Sequence, residues 1–152
     1  MRRLVLLAIP TLVGVVSAHA ELVSASPAQG ETVALAPTEV TLTFTEEVEV
    51  AFSTFKVYPL DVSLDLTAEN AELRLNGLAS QLVSEVLMAQ GDEDARDDIG
   101  ITPSDGSSET LILTLKDGLE PGTYVVMWRV LSVDTHSTDG FYTFSYAPDV
   151  SG

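Results

Sequence analysis

The sequence predicts an all-β protein: an immunoglobulin-like antiparallel β-sandwich or barrel with Greek-key connections and one helical and acidic-loop insertion. Three observations support this prediction. Short runs alternate apolar with polar residues, Pro and Gly signals separate those runs, and helical spacing occurs in only one segment. Strands of this kind bury one face each, so they pack as two layers around a shared core.

Six short segments are predicted to be strands. Five of them place apolar residues at every second position, which buries one face of each strand and leaves the other solvated. A Pro-Gly turn signal at Pro121-Gly122 precedes the fifth segment, and Gly140 precedes the sixth. The segments are residues 40–44, 52–58, 62–66, 111–115, 124–130 and 142–146, of which 52–58 lacks the strict alternation.

One segment interrupts this rhythm and is interpreted as an insertion at about residues 78–108. It opens with helical spacing that starts at Leu78, and Gln90-Gly91 is suited to end the helix. Five carboxylates then fall within residues 92–98, followed by a loop-rich stretch at 102–108. Clustered carboxylates suit calcium, but the ordered ligand spacing of a calcium loop is missing. We therefore expect a solvated acidic loop, formed by Asp92, Glu93, Asp94, Asp97 and Asp98.

The first residues are typical of a secretory signal peptide. Arg2 and Arg3 precede an almost wholly apolar run at 4–16, and Val16-Ser17-Ala18 ends in small residues. We expect cleavage after Ala18, which leaves one domain at 19–152; cleavage after Ala20 remains an alternative. The apolar run is too short to span a bilayer, so no stable membrane insertion is expected after cleavage. These features predict a periplasmic or extracellular protein.

Composition narrows the classes of function. The chain has no cysteine, which excludes disulfides and thiolate metal sites. Its formal charge of −16 becomes −18 once Arg2 and Arg3 leave with the signal. Such a charge repels phosphate backbones and anionic lipids, so no nucleic acid partner is expected, and cations or basic partners are favoured.

The two histidines of the chain, His19 and His136, are placed as a metal site requires. Cleavage after Ala18 gives His19 a free α-amine, which chelates a metal ion together with the imidazole. Asp134 and His136 are two residues apart, so in an extended segment they point the same way. Three nitrogens and one oxygen suit tetragonal Cu(II), whereas zinc prefers a tetrahedral set. By itself, Asp-x-His is better explained by an ordinary histidine whose ring is oriented by Asp134.

Four co-linear stretches together resemble the CopC family of periplasmic copper-binding proteins. They are residues 19–27 after the signal, 42–46, 122–130, and Ser132-x-Asp134-x-His136-x-x-x-Gly140 with Phe144. The resemblance implies an immunoglobulin-like fold that holds one Cu(II) per chain through His19, Asp134 and His136. Glu46 matches an acidic position of the family and is a candidate hydrogen-bond partner of the ligands or weak ligand, with a plain strand-end carboxylate as the favoured alternative.

The resemblance also implies a function and a partner. It favours an exported Cu(II) carrier or buffer in copper homeostasis or resistance, with a membrane copper transporter of the CopD type as a partner in trans. The methionine-rich Cu(I) loop of some relatives is missing, which indicates the Cu(II)-only type. Met88 and Met127 are isolated, and we expect both to be packing residues.

Two other classes of function remain as alternatives. A copper-brace oxidative enzyme also uses an N-terminal histidine, but it requires an open coordination position and a flat aromatic face. Asp134 would occupy that position, and the aromatic residues alternate inward. A metal-free immunoglobulin-like interaction module is the second alternative. No Gly-x-Ser-x-Gly elbow is present, so a hydrolase is disfavoured and no enzymatic activity is expected.

Overall fold

The computed structural model describes residues 19–62 and 69–148, which form two β-sheets packed face to face and a helix outside the second sheet. The strands are β1 Leu22–Ser26, β2 Thr32–Val33, β3 Glu39–Glu49, β4 Thr54–Leu60, β5 Asp98–Thr102, β6 Ser107–Leu115, β7 Gly122–Leu131 and β8 Ser137–Tyr146. A 3-10 turn covers Val50–Phe52, and the helix α1 covers Ala71–Val86.

The strand order confirms the predicted immunoglobulin-like Greek key. One sheet has the order β1-β3-β6-β5 and the other β2-β8-β7-β4, which is the distribution of strands in immunoglobulin sandwiches. All pairs are antiparallel except the two-residue pairing of β2 with β8. The Tyr124 hydroxyl donates to the Glu120 carbonyl, the tyrosine corner expected where such a strand begins.

The strand β7 is buried on both faces, although the alternation predicted a half-buried strand. Its inward residues, such as Trp128 and Val130, join the core between the sheets. Its outward residues Val125 and Met127 are also fully buried, because α1 covers this face of the sheet. The packing role predicted for Met127 is therefore confirmed. The same prediction is wrong for Met88, which follows the helix and is 61% exposed.

The bounds of the insertion differ from those predicted. The helix begins at Ala71, ahead of Leu78. The predicted loops at 92–98 and 102–108 overlap the ends of β5 and the start of β6. The 3-10 turn takes up Phe52, so the strand predicted from that residue starts at Thr54. Val62 lies beyond β4 and outside any strand, and the rest of the strand predicted at 62–66 lies outside the described residues. In the parts of the chain described, no helix is long and apolar enough to cross a membrane.

The acidic segment is only partly a solvated loop, because it folds onto a buried lysine. Lys56 is 2% exposed, and its Nζ donates to the Val86 and Ala89 carbonyls and to the Asp92 carboxylate. The Tyr58 hydroxyl donates to Asp92 as well. Burial alone would raise the pKa of Asp92, but these hydrogen bonds hold that pKa below its ordinary value. Glu93 and Asp94 are exposed, as predicted for a solvated loop.

Asp98 completes this arrangement at the start of β5. Its side chain is buried, accepts a hydrogen bond from the Val57 amide at 2.7 Å, and lies 3.7 Å from Arg96. Burial raises the pKa of Asp98 in spite of these partners. We call Lys56, Tyr58, Asp92, Arg96 and Asp98 the lysine cluster. The lysine cluster joins the end of α1 and the acidic segment to β4 of the second sheet.

Candidate metal centre

The two histidines meet at one end of the sandwich, although 117 positions separate them in the sequence. His19 precedes β1, and His136 precedes β8. Their ring centroids are 5.3 Å apart, with an angle of 49° between the ring planes. We call this region, residues 19–21, 45–47 and 132–138, the histidine end. The fold thus brings together the two side chains on which the predicted metal site depends.

Thr45 of β3 anchors the segment that carries His19. Its amide donates to the Glu21 carbonyl at 2.9 Å, and its hydroxyl oxygen accepts from the Glu21 amide at 3.0 Å. The same hydroxyl donates to the His19 carbonyl at 3.2 Å. Between them, Ala20 is fully buried. These contacts extend the β1–β3 pairing and hold the His19 backbone against β3.

The loop between β7 and β8 is a tight turn that positions Asp134 and His136. The Ser132 amide donates to the His136 carbonyl at 2.9 Å, and the Thr135 amide donates to the Ser132 carbonyl at 2.9 Å. Thr135 has a φ of 74°, a left-handed conformation that brings His136 back beside Ser132. The Val133 amide donates to the Glu47 carbonyl at 3.2 Å, which ties this loop to β3.

Asp134 lies between a buried hydroxyl and an exposed imidazole. The fully buried Ser132 donates its hydroxyl hydrogen to the Asp134 carboxylate, and His136 Nδ1 is 3.2 Å from the same oxygen, Oδ1. The Ser132 hydrogen bond, with a smaller effect of His136, holds the pKa of Asp134 below its ordinary value. The contact orients the His136 ring and leaves Nε2 as the ring nitrogen that does not face Asp134.

The separation of the histidine rings fits a shared metal ion. An ion about 2.0–2.1 Å from one nitrogen of each ring, the usual zinc–imidazole distance, would place the centroids roughly 4.5–6.5 Å apart. Yet among residues 19–62 and 69–148, no three His, Cys, Asp or Glu side chains are grouped closely enough to hold a metal ion. The His19 nitrogen is a peptide nitrogen while residue 18 is attached. The predicted amine ligand therefore requires cleavage.

Glu46 follows Thr45, the residue that anchors His19. The oxygen Glu46 Oε1 is buried and has no hydrogen-bond partner within the part of the chain that the structure describes. An unpaired buried oxygen is unfavourable by itself, which makes Glu46 suited to accept a hydrogen bond or to face a cation. Glu46 is thus one residue from the position that anchors the His19 backbone, and its role towards the ligands stays a prediction.

Ser132 and Thr45 also position the predicted ligands, and the sequence alone did not assign them these roles. Ser132 belongs to the quoted motif, and its position two residues before Asp134 was the available signal. Thr45 carries no comparable signal, because its role depends on how β1 pairs with β3. The motif glycine has a packing reason: a Cβ on Gly140 would lie 2.4 Å from Trp128 Cζ2. Arg129 is exposed on the central strand β7, and its guanidinium lies 3.6 Å from the Asp139 carboxylate.

The chain is similar in sequence to a described domain family and to named proteins. The CopC domain model matches residues 22–81 and 61–147. Protein YobA of Escherichia coli (strain K12) is 33% identical over 128 residues, which cover 84% of this chain and 78% of that protein. Copper resistance protein C of Pseudomonas syringae pv. tomato is 31% identical over 127 residues, covering 84% of this chain and 79% of that protein.

Solved structures agree with the sequence comparison. CopC from Methylosinus trichosporium OB3b superimposes with a TM-score of 0.53 at 26% identity, covering 88% of this chain and 99% of that one. PcoC, a methionine-rich copper resistance protein from Escherichia coli, gives a TM-score of 0.57 at 27% identity, covering 86% and 100%. The fold, the family model and the relatives agree, and the chain belongs to the CopC domain family.

Proposed function

We propose that this protein is an exported Cu(II)-binding protein that acts as a carrier or buffer in copper homeostasis or resistance. The observation that carries the proposal is the 5.3 Å separation of the His19 and His136 rings across the end of the sandwich. Relatives named copper resistance protein C support copper as the metal. Membership in their family supplies the biological setting.

The proposed ligands are His19, Asp134 and His136, which hold one Cu(II) per chain. Cleavage after Ala18 frees the His19 amine, so that the amine and the imidazole chelate the ion together. His136 adds a third nitrogen, and Asp134 adds an oxygen. This donor set suits the tetragonal geometry of Cu(II), which also has the highest affinity in the divalent series. Glu46 lies beside this set as a hydrogen-bond partner or weak ligand.

Each residue has a physical task in capture and release. Thr45 and the Ser132 turn fix the two histidines before the ion arrives, so that little conformational entropy is lost on binding. The Asp134 carboxylate keeps its charge at neutral pH and attracts the cation. Protons compete for the amine and the imidazoles, so acidification releases copper. The single methionines Met88 and Met127 lie in the region of α1, away from these residues.

Location and partners follow from the same proposal. The protein acts in the periplasm or outside the cell after its signal peptide, residues 1–18, is removed. A membrane copper transporter of the CopD type is the proposed partner in trans. The strongly acidic chain attracts Cu²⁺ and basic protein surfaces by long-range electrostatics.

Native mass spectrometry of the exported protein with one equivalent of Cu(II) is the direct test. We expect a mass that begins at His19 and retains one copper ion. His136→Ala should weaken Cu(II) binding by more than about 100-fold, beyond what loss of a ligand's hydrogen-bond partner costs. One alanine added ahead of His19 should have a comparable effect, because it removes the amine from the chelate.

Met88→Leu is the matched control for these variants. Met88 is exposed beside α1, so its replacement should leave copper affinity unchanged. A mass that begins at Glu21, or an extended variant that binds copper like the wild type, would contradict the terminal-amine site. Affinities are measured by competition with a chelator of known copper affinity.

A further inference from the structure

Two buried and unpaired polar atoms lie at the histidine end. Within residues 19–62 and 69–148, three buried side-chain polar atoms lack a hydrogen-bond partner: Glu46 Oε1, Arg96 Nε and Thr138 Oγ1. An unpaired buried group costs about 1–3 kcal/mol, so native proteins rarely keep one without a reason. Arg96 belongs to the lysine cluster, whereas Glu46 and Thr138 belong to the histidine end.

Aromatic rings from both sheets meet in the core, one layer further from the histidine end than these atoms. Phe44 of β3 meets Trp128 of β7 edge-on, with ring centroids 5.9 Å apart. Trp128 is paired with Gly140 of β8, and the ring lies against that glycine. This contact between the two sheets shows which residues face each other across the core.

The next layer towards the histidine end contains Glu46 and Thr138. Phe44 and Val48 are buried while Thr45 and Glu47 are exposed, so Glu46 continues the inward alternation of β3. On the opposite sheet, Thr138 is paired with the buried Val130, and cross-strand partners share a face. Both side chains therefore point inward, one layer beyond the aromatic contact.

This layer is connected to both histidines through the backbone. Glu46 directly follows Thr45, whose hydroxyl donates to the His19 carbonyl at 3.2 Å. Thr138 lies two residues after His136, at the start of β8. A shift of either side chain in this layer is therefore transmitted over one or two residues to a histidine.

We propose that Glu46 and Thr138 form a polar floor beneath the histidine pair and position it for Cu(II). With copper bound, the Thr138 hydroxyl donates to the Glu46 carboxylate and orients that carboxylate towards the His19 amine and the ion. The inference rests on the proposed function, and it assigns to Thr138 a role that the motif alone does not indicate. Thr138 is a positioning residue in this arrangement and does not touch the metal.

Thr138→Val tests the floor, because it replaces only the hydroxyl with a methyl group. Copper affinity should fall about tenfold, in the range found when partners of metal ligands are removed. The electron paramagnetic resonance spectrum of the Cu(II) form should shift, because the position of Glu46 changes. The stability of the copper-free protein should stay the same or rise, because an unpaired buried hydroxyl is lost. A purely structural role would instead lower stability and leave the spectrum unchanged.

Thr123→Val is the matched control in the same pair of strands. Thr123 is 6% exposed, and its hydroxyl is 3.1 Å from Ser145 Oγ at the opposite end of β7 and β8. This variant should lose stability and keep the wild-type copper affinity and spectrum. Glu46→Gln combined with Thr138→Val completes a double-mutant cycle, in which we expect the two effects to be strongly non-additive.

The outcomes separate this inference from the proposed function. Wild-type Cu(II) binding together with an unaffected Thr138→Val variant overturns the floor alone. Additive effects in the cycle do the same, because they show that the two side chains act independently. A wild-type mature protein that holds no Cu(II) overturns the proposed function, and the floor with it.

Discussion

The histidine end and the lysine cluster are two groupings of charged and polar side chains on one scaffold, and they differ in how their buried carboxylate oxygens are paired. In the lysine cluster, Lys56 has three acceptors and both carboxylates have donors, while Arg96 Nε is buried without a partner among the described residues. At the histidine end, His136 is exposed and Glu46 retains an unpaired buried oxygen in the described part of the chain. Paired carboxylates of this kind stabilise a fold, whereas a buried carboxylate oxygen without a donor can still accept a hydrogen bond or face a cation.

The same contrast shows in how each carboxylate responds to its surroundings. Asp92 is held ionised in a mostly buried position by Lys56 and Tyr58, so its charge is neutralised locally. Asp134 is held ionised at the surface by Ser132, and its negative charge remains available to a cation. Two aspartates with pKa values shifted in the same direction thus have opposite uses.

Lys56→Met should have the largest effect on stability. It leaves the Asp92 carboxylate and the Val86 and Ala89 carbonyls without their shared donor, and breaking a buried pair costs about 3–5 kcal/mol. Chemical unfolding followed by tryptophan fluorescence measures this loss. Copper affinity of the folded variant should stay at the wild-type value, because no residue of the cluster belongs to the histidine end.

Arg129→Met is the control for the lysine variant. It removes an ion pair with Asp139 in which the two side chains are 46% and 50% exposed, and exposed pairs contribute about 0–1 kcal/mol. Equal losses for the two variants would contradict the structural role given to the lysine cluster. A fall in copper affinity with Lys56→Met would show that the two regions are coupled.

The lysine cluster also shows where prediction from the sequence stops. The alternation of residues 40–44 and 111–115 predicted β3 and β6, because burial of one face is a local property of a strand. The acidic residues looked solvated because Arg96 is the one basic residue among them and cannot neutralise five carboxylates. Lys56, the partner of Asp92, lies 36 positions before it in the sequence. The two meet because α1 packs on the second sheet.

The residues of the candidate site were easier to predict than the packing of the acidic segment, because histidine and aspartate are recognised as metal ligands from residue type alone. A histidine behind a predicted signal peptide and an Asp-x-His motif already specify the donor types, and the fold brings the two histidines close together. What the sequence lacked were the supports. The role of Thr45 depends on the pairing of β1 with β3, and that of Thr138 depends on which residues face each other across the core.

Gly140→Ala should have the next largest effect, and it tests the packing beneath the histidine end. The added Cβ would lie 2.4 Å from Trp128 Cζ2, so the indole or β8 must move. Overpacking of this kind costs about 1–3 kcal/mol, which thermal unfolding would detect. Gly122→Ala is the control, because a Cβ there meets nothing within 4 Å. Equal stability of the two variants would contradict the close contact between β8 and Trp128.

Ser132→Ala should have the smallest effect of these variants, and it acts on the ligands instead of the core. The change removes the hydroxyl that donates to Asp134 while the backbone hydrogen bonds of the turn remain. Loss of such a partner should lower Cu(II) affinity about tenfold, or roughly 1.4 kcal/mol. The pKa of Asp134 should rise towards its ordinary value, so copper release on acidification should begin at a higher pH.

Ser137→Ala is the matched control, because this exposed serine lies next to His136 in the same hairpin. It should leave both the affinity and the pH of release unchanged. A Ser132→Ala variant that releases copper at the wild-type pH would show that the hydroxyl serves only the turn. Comparison of the two serine variants therefore shows whether Ser132 holds Asp134 in place for the metal or only stabilises the hairpin turn. The first result indicates a site whose residues are positioned for a ligand, and the second indicates a loop in which the histidine has no supported binding role.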